Sequence, residues 1–106
     1  MMEPTKKDWK LFKDKIGIWQ ETYIEKINKE YILLLSGELP ESTKFWELEK
    51  RLKIDKKRPG VCIELTKSNM IFDIVSLMND GVISLENLDE FSDELKEFVK
   101  FLLERL

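Results

Sequence analysis

Side chains able to do chemistry are scarce in this sequence. Its 106 residues include no histidine, one cysteine and four glycines. Without histidine a serine lacks its usual base, one cysteine is too few for a zinc site, and no glycine-rich loop is present to cradle a phosphate. The sequence therefore predicts no catalytic residue, no metal ligand and no cofactor, and we expect a protein that is not an enzyme.

Two residues keep a catalytic alternative open. Asp73 lies in the most apolar segment of the chain, where burial would raise its pKa as in catalytic acids. The other possibility is an exposed or hydrogen-bonded structural carboxyl. Cys62 would be reactive beside a lysine or arginine and is otherwise a structural thiol. We expect the structural role for both residues.

A basic run occupies residues 50–58. Six of these nine residues are positive: Lys50, Arg51, Lys53, Lys56, Lys57 and Arg58. Trp46 lies one helical turn before the run and could stack on a base while the cations bind phosphates. Nucleic-acid binding through this run is therefore the alternative function.

Charge is distributed unevenly along the chain, whose net charge is −3. Residues 1–59 hold 14 basic and 11 acidic side chains, whereas residues 60–106 hold 4 and 10. Most of the acidic excess lies between Glu86 and Glu97. This excess would weaken attraction to a polyanion. The basic run is instead expected to lie beside the acidic segment within the fold or across a dimer.

One apolar stripe predicts a long first helix that starts after Thr5 and ends at Ser36 and Gly37. Its members recur every three or four residues: Trp9, Phe12, Ile16, Trp19, Tyr23, Ile27, Tyr31 and Leu34. About 30 residues would form a helix about 45 Å long, more than the roughly 33 Å diameter expected for a domain of this size. We therefore expect either a break near Gly17 or an N-terminal part, residues 1–16, that projects and packs on another chain.

A second helix and an extended connection are predicted next. The helix runs from Ser42 to about Asp55, with Trp46 and Ile54 off the buried face, which comprises Phe45, Leu48 and Leu52. Residues 61–65 alternate between apolar and polar side chains, as in a strand. No second strand-like run offers a partner, so we expect an extended connection packed on the helices.

The third helix is predicted to begin at a cap of Ser68 or Thr66; its apolar residues, from Met70 to Met78, nearly encircle it, so it is expected at the centre of the domain. Gly81 is its predicted cap, Ser84 begins a short helical turn, and Ser92 begins the last helix. The short turn is expected to direct Leu85, Leu88 and Phe91 inward. These patterns predict an all-α compact single domain of four to five helices, residues 1–106, whose first, third and last helices form the core.

The longest stretch without a charged side chain is seven residues, Tyr31–Gly37, far shorter than the about 20 residues of a spanning helix. The start of the chain is rich in charge, unlike a secretory signal. A lone cysteine suits a reducing compartment. We therefore expect no membrane insertion and a cytoplasmic location.

Four segments carry a resemblance to a known family: Trp19–Lys26, Lys44–Arg51, Pro59–Val61 and Leu85–Ser92. From about Trp19 onward the chain resembles a family of small, functionally uncharacterised bacterial proteins, some of which bear a multidrug-transporter label. This sequence does not support a transport function, because nothing in it could span a bilayer. The resemblance implies no catalytic residues.

We expect a non-catalytic protein-interaction or structural module that self-associates, most simply as a homodimer. The first helix is longer than the expected domain, Trp46 and Phe101 lie off the predicted buried faces, and the basic and acidic segments have complementary charges. These features suggest a surface that remains available for a protein partner or a second copy. The candidate interaction residues are Trp9, Phe12, Trp46, Lys50, Lys53, Lys56, Lys57 and Arg58. Phe101 is a further aromatic residue expected at the surface.

Overall fold

Four α-helices joined by short turns make up residues 3–105, which are the residues described by this computed structural model. The helices are α1 (Lys6–Ser36), α2 (Glu41–Asp55), α3 (Met70–Asn79) and α4 (Asp93–Arg105). Two 3₁₀ turns, Lys67–Asn69 and Leu85–Leu88, precede α3 and α4. Within these residues there is no strand, so the prediction of an all-α fold is confirmed.

The first helix begins where the sequence predicted. The Thr5 side chain accepts a hydrogen bond from the Asp8 backbone N–H (3.0 Å), which satisfies one of the free donors at the helix start. The helix then runs unbroken through Gly17, which is exposed and has no neighbouring atom within 4 Å of an added Cβ. The predicted break is therefore wrong, because the apolar stripe continues past a glycine whose cost is only about 1 kcal/mol.

The hydrophobic core is formed by the N-terminal half of α1 together with α3 and α4, which confirms the predicted core helices. Phe12, Ile16 and Trp19 of α1 are buried in it. The prediction that residues 1–16 project is wrong for the described part of that segment, residues 3–16; Met1 and Met2 lie outside the described residues. The remaining core residues are Met70, Ile71, Ile74, Val75, Leu77, Ile83, Leu88, Phe91, Leu95 and Val99.

The opposite end of α1 is the part that projects. Its C-terminal half pairs with α2 to form a helical hairpin, and the molecule measures 52 × 27 × 22 Å. The radius of gyration is 16.5 Å, against about 13 Å for a typical domain of this length. The excess length predicted for α1 is real, but it lies in the hairpin.

The connections largely follow the predicted positions. Residues 62–66 have no regular secondary structure, in line with the predicted connection, and Thr66 at its end has an extended backbone. Gly81 ends the turn after α3 with a φ of 73°, a left-handed conformation that favours glycine. Leu88 and Phe91 point into the core, but Leu85 is exposed and was wrongly placed inside.

Candidate interaction surface

The base of the hairpin is fixed by three contacts between α1 and the α2 side. The Tyr31 hydroxyl donates to Asp55, and Gln20 Nε2 donates to the Pro59 carbonyl (3.0 Å). Gly60 lies directly against the Tyr23 ring, so close that a Cβ at this position would overlap it. These contacts hold the two helices in one relative position.

The Tyr31–Asp55 hydrogen bond is partly buried, which affects the protonation of the Tyr31 hydroxyl. Burial and the hydrogen bond to Asp55 together raise the pKa of Tyr31 to about 12. The Tyr31 phenol therefore keeps its proton and remains a donor to Asp55 at neutral pH. On its other carboxylate oxygen Asp55 accepts from Arg58 Nε (3.0 Å), so one carboxylate joins α1 to the turn after α2.

Two rows of side chains line one face of the hairpin, which we call the hairpin face. On α1 the row has spacings of four and three residues: Glu21, Glu25, Asn28, Ile32 and Leu35. On α2 the row has the same spacings: Phe45, Glu49, Leu52 and Lys56. Such spacings keep side chains on one side of a helix. Asn28, Leu52 and Lys56 line the same shallow, mainly apolar groove of about 120 Å³, which places the two rows side by side.

The tip of the hairpin exposes large apolar side chains. Ile32 is 60% exposed, Phe45 62% and Trp46 64%. The Phe45 and Trp46 rings meet edge to face with centroids 5.0 Å apart. Leu35 and Leu39 are also exposed at the tip, and Leu52 is exposed farther from it on α2. Leu33 is 73% exposed on the opposite flank of α1.

The predicted buried face of α2 is therefore largely wrong. Phe45 and Leu52 are exposed, and only Leu48 is half-buried. The buried residue of α2 is Lys44, whose ammonium lies 3.1 Å from Glu41. The helix also starts one residue before Ser42, after Pro40. Because α1 is the main helix packed against α2, one narrow stripe of α2 is covered and the adjacent apolar row stays in water.

The basic run is divided between ion pairs and solvent. Lys53 pairs with Glu49 (2.8 Å) and Arg51 approaches Glu47 (3.6 Å), both within α2. The hydrogen bond to Glu49 raises the pKa of Lys53. Lys50, Lys56 and Lys57 are exposed, and no ion pair involves them among residues 3–105.

Arg58 connects the hairpin to the rest of the molecule. Its guanidinium pairs with Asp55 (3.0 Å) and lies 3.5 Å from Asp80, after α3. The hydrogen bond to Asp55 raises the pKa of Arg58. Arg58 is thus a structural cation in this chain. Within residues 3–105 the basic run forms none of the ion pairs predicted with Glu86–Glu97, and Glu90 of that segment pairs instead with Lys15 of α1 (2.9 Å).

The aromatic candidates separate into buried and exposed groups. Phe12 is completely buried, so its prediction as an interaction residue is wrong. Trp9 packs half-buried against the core, with the Lys13 ammonium 5.2 Å from its ring centroid. Phe101 is exposed on α4, stacked on Phe98 and covered by the Arg105 guanidinium. Trp46 alone of these lies at the hairpin tip.

The two residues considered for catalysis lie in different surroundings. Cys62 is exposed in the extended connection. Asp73 is half-buried on α3, and its Oδ2 is buried with no hydrogen-bond partner among residues 3–105. Burial raises the pKa of Asp73 to about 6. In the part of the chain described, no group of three or more acidic or cysteine side chains is arranged to hold a metal ion.

An open groove of about 340 Å³ lies between the second 3₁₀ turn and α4. It is lined by Leu85, Glu86, Asp89, Asp93, Lys96, Glu97 and Lys100. Lys96 pairs with Asp93 (3.2 Å) and Lys100 with Glu97 (3.5 Å), so the acidic side chains are partly neutralised by their own helix.

Residues 3–105 form no helix with the length and apolar character needed to cross a bilayer.

Sequence reasoning found Trp46 but missed most of the hairpin face. The signal for Ile32 and Leu35 was present as a second apolar row beside the stripe that contains Tyr31 and Leu34.

Comparison of the chain with protein-family models, curated proteins and solved structures finds no match in any of the three. The resemblance to a bacterial family, and any function, therefore stay predictions.

Proposed function

We propose that this chain is a non-catalytic protein-interaction module that self-associates through the hairpin face. The observation that carries the proposal is the concentration of exposed apolar side chains at the hairpin tip, on the hairpin face and beside it at Leu39 and Trp46. Single exposed apolar residues need no explanation, but a group of this size on one part of a small protein is often functional.

The exposed area supports a complete interface. An aromatic side chain covers about 150–250 Å² when buried, so the exposed parts of Phe45 and Trp46 contribute on the order of 250 Å². The half-exposed Ile32, Leu35, Leu39 and Leu52 bring the total to on the order of 500 Å². A standard interface covers about 800 Å² per partner, of which about 56–65% is apolar. The hairpin therefore offers about the apolar area that one such interface requires.

The test is the molar mass in solution, measured by light scattering and sedimentation equilibrium from low micromolar to near-millimolar concentration. We expect a reversible dimer that Phe45→Asp or Ile32→Asp converts to monomer. Leu33→Asp, on the opposite flank of α1, is the matched control and should dimerise normally. A wild-type monomer throughout this range, or equal effects of all three substitutions, would contradict the proposal.

A second candidate function rests on the outer surface of α2. This surface carries a row of exposed side chains at spacings of four, three and four residues: Trp46, Lys50, Lys53 and Lys57. This arrangement could stack a base and bind phosphates. It is the weaker candidate because Lys53, Arg51 and Arg58 already hold acidic partners.

Replacing Lys50, Lys53 and Lys57 with glutamate tests this alternative. If the chain binds single-stranded DNA or RNA through this surface, the substitutions should abolish binding and its salt dependence. The same reversal at Lys6, Lys7 and Lys10 alters net charge equally at the other end of α1 and should leave binding intact. Binding that is absent, or equally affected by both sets, would remove the candidate.

A further inference from the structure

We propose that two copies of this chain pair their hairpin faces so that α1 of each copy lies against α2 of the other, with both hairpin tips at the same end. The inference rests on the proposed function, and it specifies the partner and the arrangement. The product is a symmetric bundle of four helices in which every neighbouring pair is antiparallel. Such bundles are a common way to bury one apolar face of a helical hairpin.

The order of side chains along the hairpin face supports this arrangement. At the tip the α1 row is apolar at Ile32 and Leu35 and the α2 row is apolar at Phe45, with Glu49 as the next member of the α2 row. At the base the α1 row is acidic, with Glu21 and Glu25, while the α2 row ends in Lys56. The two rows therefore have the same apolar end and opposite charges at the other end.

The level of each residue along the hairpin follows from the antiparallel pairing of α1 and α2. Asn28, Leu52 and Lys56 line one groove, and α1 and α2 rise equally per residue. Leu35 is thus level with Phe45, and Glu25 with Lys56. When α1 lies on α2 of the partner subunit with the tips together, Leu35 meets Phe45 of the partner subunit and Glu25 meets Lys56 of the partner subunit. Ile32 then faces Glu49 of the partner subunit, whose carboxylate is already paired with a lysine of its own helix, Lys53 of the partner subunit (2.8 Å).

The other symmetric arrangement of two hairpin faces places charged side chains against apolar ones. If α1 packed on α1 of the partner subunit with the tips opposed and the two rows in full overlap, Glu25 would lie on Ile32 of the partner subunit, and Glu21 on Leu35 of the partner subunit. Each carboxylate would then lose water to an apolar surface without a compensating charge. Complementary charge favours the arrangement with α1 on α2.

The residues that the arrangement requires are available. Glu21 and Lys56 are exposed and form no ion pair within residues 3–105, and Glu25 pairs only with the exposed Lys29 of its own helix (3.1 Å). Exposed pairs within one helix are weak, so Glu25 can exchange this contact for one across an interface.

The test is a charge exchange between two variants, Glu21→Lys/Glu25→Lys and Lys56→Glu, followed by sedimentation velocity at low ionic strength. Each variant alone places like charges across the interface, so its dimer dissociation constant should rise about tenfold or more. An equimolar mixture should recover wild-type affinity as a heterodimer, because opposite charges then meet at both symmetric contacts. Lys26→Glu and Glu30→Lys, on the opposite flank of α1, are matched controls and should dimerise as wild type.

The outcomes separate this inference from the proposed function. If Phe45→Asp abolishes the dimer but the mixture binds no better than either variant alone, the hairpin face is the interface and the arrangement is wrong. The arrangement is equally wrong if the two variants dimerise as wild type. If the wild-type chain remains monomeric at near-millimolar concentration, both the inference and self-association fail.

Discussion

Asp8 joins the beginnings of α1 and α4 by accepting two hydrogen bonds from Ser92, which lies 84 residues away in sequence. The Ser92 backbone N–H donates to Asp8 Oδ1 (3.0 Å), and its hydroxyl donates to Oδ2 (2.6 Å). The Ser92 oxygen in turn accepts from the Leu95 N–H (3.2 Å), so the same serine caps α4. Asp8 is almost completely buried and therefore depends on these donors.

Replacing Asp8 with alanine should lower the free energy of unfolding by about 2–3 kcal/mol, because it leaves buried donors of Ser92 without acceptors. Ser92→Ala should cost about 1–2 kcal/mol through the lost cap and hydroxyl. The double variant should cost less than the sum of the two, since both act on one contact. Urea denaturation of all four proteins measures the coupling. Strictly additive costs would show that the contact contributes nothing.

Gly60→Ala should destabilise the fold by about 1–3 kcal/mol, because the added methyl group would overlap the Tyr23 ring. Gly17→Ala is the matched control. It adds the same methyl group to an exposed site in the middle of α1, where alanine should stabilise the helix by about 0.5–1 kcal/mol. The midpoint temperature of thermal denaturation should therefore fall for Gly60→Ala and rise for Gly17→Ala. A shift in the same direction would contradict the close packing at Gly60.

Asp73 should make stability depend on pH in mildly acidic solution. In the folded protein its pKa is about 6, raised from an ordinary value of 3.8 by burial. Between these pH values the folded state holds a proton that the unfolded state has lost, so the free energy of unfolding should fall as pH rises from about 4 to about 6.

Asp73→Asn removes this contribution. The variant should be more stable than wild type at neutral pH, by on the order of 1 kcal/mol for a half-buried carboxyl, and the difference should vanish near pH 4. Denaturant unfolding at several pH values measures it. Glu64→Gln, which changes an exposed carboxyl, is the control. A constant difference between Asp73→Asn and wild type across this range would contradict the assignment.

Trp46 should report on the association. Of the three tryptophans it is the most exposed, since Trp19 is buried and Trp9 half-buried. Its ring touches Phe45 at the edge of the hairpin face, so dimer formation should shift its fluorescence to shorter wavelength and reduce quenching by acrylamide. A variant with Trp9→Phe and Trp19→Phe isolates the signal. An emission spectrum independent of concentration, while the mass doubles, would place the interface elsewhere.

The elements of the fold could be predicted because local signals mark their ends. Thr5 and Gly81 have the capping roles that their residue types favour, and the all-round apolar α3 occupies the core as expected. The sequence could not decide which half of α1 would leave the core, because its stripe is equally apolar at both ends. That outcome depends on where α3 and α4 dock, which is a tertiary property.

The candidate interaction surface was harder to predict for a related reason. Phe45 and Leu52 have the spacing of a buried face, and the same pattern arises whether the covering helix belongs to this chain or to another. In the structure α1 covers the neighbouring stripe with Lys44 and Leu48, which leaves Phe45 and Leu52 exposed. Periodicity identifies an apolar face without identifying what covers it.

The continuity of α1 has a thermodynamic consequence. One uninterrupted helix supplies both Phe12 to the core and Ile32 to the hairpin tip, so we expect the two ends of the molecule to unfold as one cooperative unit. A partner that binds only the folded hairpin would, by mass action, protect the distant core against heat, and the melting temperature would climb with protein concentration.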